Sequence, residues 1–146
     1  MVCLGNICRS PLAEGILQSK LNDEFTVDSA GTISMHEGEH PDKRSIKVAS
    51  NHGLDISKQK SRPITHADLQ NFDIIYGMDR NNVKDILSLC TSEVQRAKVK
   101  LFLQEAEIEG SQEVPDPYWG DLNDFEAVYQ LIDTASEIIA NKLMNK

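Results

Sequence analysis

The sequence has few cysteines, no long apolar run and no strongly basic segment, and each shortage excludes a class of protein. Its three cysteines, at positions 3, 8 and 90 of 146 residues, have no framework spacing. Their odd number favours a reducing, cytoplasmic setting over a secreted disulfide scaffold. No stretch approaches the roughly 18 apolar residues of a membrane span, and the first residues do not resemble an export signal. We therefore expect a cytoplasmic protein that does not enter a membrane.

The charge balance is acidic, with 23 acidic against 15 basic residues and a net charge of −8. Basic residues occur only in short groups such as Lys43-Arg44 and Lys58-Gln59-Lys60, too few for the basic face of a nucleic-acid binder. The same balance disfavours an anionic membrane surface. An anionic substrate remains compatible with it, because charges are screened over about 10 Å at 0.1 M salt and a local site can outweigh distant ones.

Hydrophobic periodicity predicts helices and strands in alternation. The predicted helices cover 11–22 and 42–52, begin near Thr65 and after Asp79, and end with a long helix near the C-terminus. The predicted strands cover 25–29, 72–76 and 99–103, and Gly31 and Gly53 act as stops. Alternating strands and helices indicate an α/β fold with a parallel sheet between helices, and the length suits one domain over 1–146.

The opening stretch MVCLGNICRSP has the composition of an anion-binding loop between a strand and a helix. Gly5 and Asn6 readily adopt the unusual backbone angles of a tight loop, and Pro11 favours the first turn of a helix. Backbone N–H groups in such a turn converge on an anion, and the positive end of the helix reinforces them. Arg9 adds a planar fork that matches two oxygens of one phosphate. The stretch therefore predicts a phosphate cradle.

Cys3 is placed to be a nucleophile in this cradle. The positive field should hold its thiol as a thiolate at neutral pH, and Ser10 can donate a hydrogen bond to the sulfur. Attack on a bound phosphate would then form a cysteinyl-phosphate. The alternative, a buried structural cysteine and a surface arginine, leaves the surrounding Gly5, Asn6, Ser10 and Pro11 without a reason.

Other anion and metal chemistries fit the sequence less well. The loop lacks the Gly-Lys-Ser/Thr end of a Walker A motif. Cys3 and Cys8 lack a second pair of zinc ligands, and the four histidines are scattered along the chain. We expect no metal and no cofactor.

Four ordered motifs resemble the low-molecular-weight protein tyrosine phosphatases, and the resemblance covers nearly the whole chain. They are the loop from Cys3 to Pro11, then Val27-Asp28-Ser29-Ala30-Gly31-Thr32, then Phe72-Asp73-Ile74-Ile75 with Met78-Asp79, and finally Val114-Pro115-Asp116-Pro117-Tyr118. The resemblance implies a three-layer fold with a four-stranded parallel sheet. It implies hydrolysis of phosphotyrosine and small aryl phosphates.

The resemblance also implies roles for single residues. Asp116 would be the general acid and then the general base, whereas Asp-Pro alone more often marks a turn. Leu4, Gly5, Ile7 and Cys8 would complete the phosphate loop, and Asn6 would lock it through Ser29. Gln59 stands where some members carry a supporting histidine.

Further implied roles concern the substrate and oxidation. Tyr118 and Trp119 would form an aromatic wall beside the phosphotyrosine ring, with Met35 opposite, although core packing is the alternative for Trp119. Cys8 would be the redox partner of Cys3, and Cys90 a buried helix residue without a role. The partners implied are phosphotyrosine proteins, including a tyrosine kinase of polysaccharide export.

Three other functions are alternatives to a tyrosine phosphatase. Arsenate reductases of the same fold relay a disulfide through two further cysteines, and only Cys90 lies outside the loop. Arginine phosphatases tend to carry threonine in place of Ile7, which with Tyr118-Trp119 favours an aryl phosphate. A protein that only binds phosphorylated partners would have no use for Cys3, Arg9 and Asp116 together.

The first strand is short in this sequence. Only Met1-Val2 precede Cys3, whereas family members usually carry several apolar residues there. We therefore expect the natural chain to begin upstream; the alternative is a strand shortened to a stub, with lower stability.

Overall fold

Four short strands form the centre of the structure, a computed structural model that describes residues 1–145. They are β1 Val2–Cys3, β2 Ala30–Gly31, β3 Ile75–Gly77 and β4 Val99–Leu101. Neighbouring strands run parallel in the order β2-β1-β3-β4. The predicted parallel sheet is confirmed, and the interior position of β1 places Cys3 near the middle of its carboxyl edge.

Seven helices surround the sheet in the part of the chain that the structure describes. They are α1 Arg9–Lys20, α2 Lys43–Asn51, α3 His66–Asn71, α4 Arg80–Leu89, α5 Glu93–Lys98, α6 Phe102–Glu105 and α7 Leu122–Met144. Over residues 1–145, none of them combines the length and the apolarity needed to cross a membrane.

The side chains of the strands belong to two different hydrophobic clusters. Cys3 and Tyr76 belong to a large cluster that includes residues of α1, α2 and α7. Val2 and Ile75 belong to a smaller one that includes Leu69 of α3 and Ile86 of α4. Since successive residues of a strand point to opposite faces, the clusters lie on the two faces of the sheet. This distribution supports the three-layer arrangement.

The helix ends agree with the sequence patterns where short-range capping decides them. Asp42 caps α2, and Gly53 follows that helix with a φ of +82°. Thr65 and Asp79 begin α3 and α4, each in a reciprocal capping box with the residue three positions later. The first helix starts two residues earlier than predicted, so Pro11 occupies its third position. Its missing N–H is tolerated there, because the first four N–H groups of a helix have no internal partner.

All three predicted strands were wrong in extent, and the one predicted over 72–76 covers Ile75–Gly77. Residues 25–29 lie outside the ladder, because β1 offers partners only to Ala30 and Gly31. The strand predicted over 99–103 ends at Leu101, where α6 begins. The sequence analysis also missed α5, which Ser92 caps.

The first strand is a stub of two residues, and it pairs on both sides. The carbonyl of Val2 accepts a hydrogen bond from the N–H of Met78 at 3.0 Å, and the N–H of Thr32 donates to the carbonyl of Cys3 at 3.0 Å. The residues that follow β2 and β3 therefore hydrogen-bond to β1 directly before the loop begins.

Candidate active site

The loop from Cys3 to Ser10 is held from outside by its carbonyl groups. Five of its carbonyl oxygens accept hydrogen bonds from backbone N–H or serine hydroxyl groups of other segments. The pairs, acceptor first, are Cys3 with Thr32, Leu4 with Ile33, Gly5 with Ser61, Ile7 with Asp42 and Cys8 with Ser45, at distances of 2.7 to 3.3 Å. Within residues 1–145, the N–H groups of residues 4–8 have no protein acceptor. The loop therefore offers unpaired donors next to the N-terminus of α1, as an anion site requires.

Asn6 has the unusual backbone conformation on which the turn of the loop depends. Its φ of +55° lies in the left-handed region, which asparagine tolerates better than most residues. Its amide nitrogen donates to the hydroxyl oxygens of Ser10 at 2.7 Å and Ser29 at 3.0 Å. Its carbonyl oxygen accepts from the N–H of Arg62 at 3.1 Å. Three separate contacts thus stabilise the unusual backbone angle.

Ser10 links this network to the sulfur of Cys3. The two side-chain atoms lie 3.1 Å apart, and both residues are buried. Because the Ser10 oxygen already accepts from Asn6, its hydrogen is free to donate to the sulfur. A hydrogen bond to the anionic form stabilises a thiolate.

Arg9 is buried beneath the loop and oriented by two fixed acceptors. Its Nη1 donates to Asp79 Oδ2 at 2.6 Å and to the carbonyl oxygen of Val114 at 3.0 Å. Its Nη2 lies 3.8 Å from Asp116 Oδ2. Burial opposes the charge of Arg9, but the negative charges of Cys3, Asp79 and Asp116 outweigh it and raise its pKa. The guanidinium is therefore a permanent cation at the floor of the site.

Asp79 is a residue whose role the sequence analysis missed. It was assigned only as a helix cap, and Oδ1 does accept from the N–H of Asn82 at 2.8 Å. Its other oxygen holds Arg9. The available signal was its position directly after the buried strand β3, because the ends of parallel strands meet at one edge of the sheet.

A cleft of about 340 Å³ opens over the loop. It is lined by Cys3, Leu4, Gly5, Ile7, Cys8, Arg9, Ile33, Met35, His36, Asp116, Tyr118 and Trp119. The structure thus brings together the predicted nucleophile, arginine, acid and wall residues. The cleft is not lined by Asn6, Ser10 or Ser29. Their side chains are buried and contact the loop from the protein interior.

The wall residues are on the surface. Trp119 is 93% exposed and Met35 is 76% exposed. The alternative of core packing for Trp119 is therefore wrong. Tyr118 and Trp119 meet edge to face, with ring centroids 5.0 Å apart. Asp116 lines the same cleft, and its Oδ1 accepts from the N–H of Tyr118 at 3.1 Å.

His36 is a second residue that the sequence analysis missed. Its Nδ1 lies 2.7 Å from Glu39 Oε2, and its ring packs against the backbone of Gly5. A Cβ atom at Gly5 would lie 3.0 Å from the imidazole Cδ2, so a larger residue there would require the ring to shift. The histidines were dismissed as scattered because their spacing fits no metal motif, yet the fold brings this one to the cleft.

The hydrogen bonds that support the loop continue from Asn6 through Ser29 to Glu14 and do not include Gln59. Ser29 donates from its hydroxyl to Glu14 Oε1 at 2.7 Å, and burial raises the pKa of that carboxyl group. Gln59 donates instead to the carbonyl of Pro11 at 3.1 Å. Its side chain braces the first turn of α1 and has no hydrogen bond to Asn6 or Ser29.

The three cysteines are free thiols in different environments. Burial raises the pKa of Cys8, and the negative charges of Asp42, Cys3 and Asp116 raise it further. Cys8 is therefore a neutral thiol beside the site. Cys90 closes α4 in the smaller cluster, far from the loop in the fold. In residues 1–145, no group of three or more histidine, cysteine or acidic side chains is arranged to hold a metal ion.

These features define an α/β protein with an anion-binding loop at the carboxyl edge of a four-stranded parallel sheet. A family model described as low molecular weight phosphotyrosine protein phosphatase matches residues 1–146. The chain therefore belongs to this family of hydrolases.

Individual relatives agree over almost the full length. The low molecular weight phosphotyrosine protein phosphatase of Schizosaccharomyces pombe is 38% identical, with 94% of this chain and 92% of that protein covered. A protein tyrosine phosphatase from Entamoeba histolytica, solved with Hepes in the active site, has a TM-score of 0.91 at 37% identity, covering 99% and 94% of the two chains. Vibrio vulnificus Wzb, solved in complex with benzylphosphonate, has a TM-score of 0.86 at 34% identity, covering 97% and 94%.

Proposed function

We propose that this chain, acting as a single phosphatase domain over residues 1–146, hydrolyses phosphotyrosine through a cysteinyl-phosphate on Cys3. One observation carries the proposal: a buried cysteine, a buried arginine and a half-exposed aspartate share one cleft with five unpaired N–H groups. A binding protein would need the donors and the arginine but neither the nucleophile nor the acid.

In the first step the sulfur of Cys3 attacks phosphorus while the bond to the tyrosyl oxygen breaks. The loop N–H groups and Arg9 bind the three non-bridging oxygens, which positions the phosphoryl group and stabilises its charge in the transition state. Asp116, starting as a carboxylic acid, gives its proton to the leaving oxygen. Its Oδ2 lies 3.8 Å from Arg9 Nη2, which supports a role beside the bound phosphate.

In the second step Asp116, now a carboxylate, takes a proton from water. The water oxygen attacks phosphorus, the sulfur–phosphorus bond breaks, and the sulfur leaves with the bonding electrons as a thiolate. Inorganic phosphate is released. Ser10 stabilises the departing sulfur through the same hydrogen bond that it makes in the resting enzyme.

The walls of the cleft support an aryl phosphate as substrate. Tyr118, Trp119 and Met35 supply exposed apolar surface for a phenyl ring above the loop. Vibrio vulnificus Wzb, which has the same fold, was solved with benzylphosphonate. We propose phosphotyrosine proteins as the natural substrates, with a tyrosine kinase of polysaccharide export as a partner, in a reducing cytoplasm that suits the three free thiols.

A rapid acid quench tests this function. Enzyme mixed with a ³²P-labelled phosphotyrosine peptide and quenched within the first turnover should carry label on the fragment that contains Cys3. A matched phosphoarginine peptide should be turned over far more slowly. Turnover without label on Cys3 would exclude the mechanism, binding without turnover would indicate a phosphoprotein-binding module, and a preference for phosphoarginine would indicate the arginine-phosphatase branch.

Oxidation gives an independent prediction. Peroxide should convert the Cys3 thiolate to a sulfenic acid, which the Cys8 thiol then attacks to form a disulfide with release of water. Dithiothreitol should restore activity. In Cys8→Ser the sulfenic acid has no neighbouring thiol and is oxidised further, so the recovered fraction of that variant's own starting activity should be small. Equal recovery in both proteins would show that Cys8 does not protect the site.

A further inference from the structure

Arg44 connects the segment that carries Asp116 to the rest of the protein. Its Nη1 donates to the carbonyl of Gly120 at 2.9 Å, and its Nη2 donates to the carbonyl of Tyr118 at 3.0 Å. These acceptors lie two and four residues after Asp116. The guanidinium also lies 4.3 Å from the ring centroid of Phe125, the first core residue of α7.

The same side chain is itself held in a fixed orientation. Asp42 accepts from Arg44 Nε at 3.0 Å and from Nη2 at 2.9 Å, a bidentate pair. The backbone N–H of Asp42 donates to the carbonyl of Ile7 at 2.7 Å, which is inside the phosphate loop. A continuous set of hydrogen bonds therefore runs from the phosphate loop through Asp42 and Arg44 to the acid segment.

Few other hydrogen bonds hold that segment, although Pro117 within it is buried. Val114 is tied to the sheet edge, since its N–H donates to the carbonyl of Met78 at 2.9 Å. Within residues 1–145, Arg44 is the one residue of another segment whose side chain forms hydrogen bonds with residues 115–120. Asp116 itself is 44% exposed in its side chain, so packing alone does not fix it.

We infer that Arg44 is a positioning residue for proton transfer, and that the Asp42–Arg44 pair sets the distance between Asp116 and the phosphate loop. The inference rests on the proposed role of Asp116 as the general acid. Proton transfer needs the donor within hydrogen-bond reach of the leaving oxygen, and a shift of about 1 Å can lower a rate on the order of 10²-fold. Arg44 is suited to this task because one planar group reaches both carbonyls and Asp42, which a lysine ammonium cannot do.

The test measures kcat/KM for a series of aryl phosphates whose leaving groups differ in basicity. For Arg44→Met we expect a loss of about 10-fold for phosphotyrosine and less than about 3-fold for the most activated ester, which needs little protonation. Inhibition by inorganic phosphate should be unchanged, because the phosphate loop is intact. Arg44→Lys should fold and give an intermediate loss. Arg96→Met is the matched control, since Arg96 is similarly exposed and paired with Glu93, 2.7 Å away, on a remote helix.

A double variant separates this inference from the function on which it rests. In an Asp116→Asn background, Arg44→Met should cause almost no further loss, because the group that Arg44 positions is absent. An equal additional loss in that background, or a loss that does not depend on the leaving group, would overturn the role of Arg44. If Asp116→Asn itself left kcat/KM unchanged, the general-acid assignment would fail instead.

Discussion

Replacing Cys3 with serine is expected to abolish turnover of every phosphate ester while leaving the fold intact. The sulfur lies 3.1 Å from the Ser10 hydroxyl and beside the positive end of α1, and a serine hydroxyl in its place is a far weaker nucleophile. Serine is close to cysteine in size, so the buried site should still close around it. We expect a fall on the order of 10⁴-fold or more in kcat for p-nitrophenyl phosphate.

The control for Cys3→Ser is a substitution at another buried cysteine outside the site. Cys90 is also buried, but it lies in the cluster on the other face of the sheet. Cys90→Ser should keep kcat within about twofold of the wild type, after correction for the folded fraction. Binding of inorganic phosphate to Cys3→Ser, measured by calorimetry, would show that the cradle persists. Wild-type turnover in Cys3→Ser would refute covalent catalysis at this residue.

Removal of the acid group of Asp116 is expected to have the second-largest effect. Asp116→Asn keeps the shape of the side chain and its contact with the N–H of Tyr118. It removes the proton that the leaving oxygen needs and the base that the attacking water needs. We expect kcat/KM for phosphotyrosine to fall by roughly 10²–10⁴-fold, with a smaller fall for activated aryl phosphates.

Asp133 provides the matched control for this variant. Its side chain is exposed to a similar extent and pairs with Lys20 at 3.0 Å on the far side of the structure. Asp133→Asn should leave kcat/KM within about twofold of the wild type. If Asp116→Asn lowered the rate equally for all leaving groups, its role would lie in substrate binding or folding, and another residue would have to supply the proton.

The contiguous part of the site could be predicted because its chemistry is local. The loop, its left-handed residue Asn6 and the helix after it follow one another without a break from Cys3 to Lys20, so backbone preference and helix polarity act between neighbours in the sequence. The caps at Thr65 and Asp79 were visible for the same reason, since a cap acts within three or four residues. The pairing of Asp116 with this loop was predicted only through the family resemblance.

The strand boundaries were less predictable because a ladder depends on a distant partner. Residues 25–29 have the composition of a strand, but β1 pairs only with Ala30 and Gly31. Phe102 continues an apolar run after β4, yet it turns into α6 and packs in the large cluster. Apolar pattern alone does not distinguish a strand from a buried helix over so few residues.

By itself, the sequence determined the fold class and singled out the candidate nucleophile and the candidate phosphate-binding arginine, because those features depend on residues that are neighbours along the chain or repeat with a fixed period. Only the tertiary structure decided what orients them. Asp79 reaches Arg9 across 70 positions, and Arg44 reaches Gly120 across 76. The packing of the helices on the sheet creates such contacts, and no local pattern in the sequence encodes them.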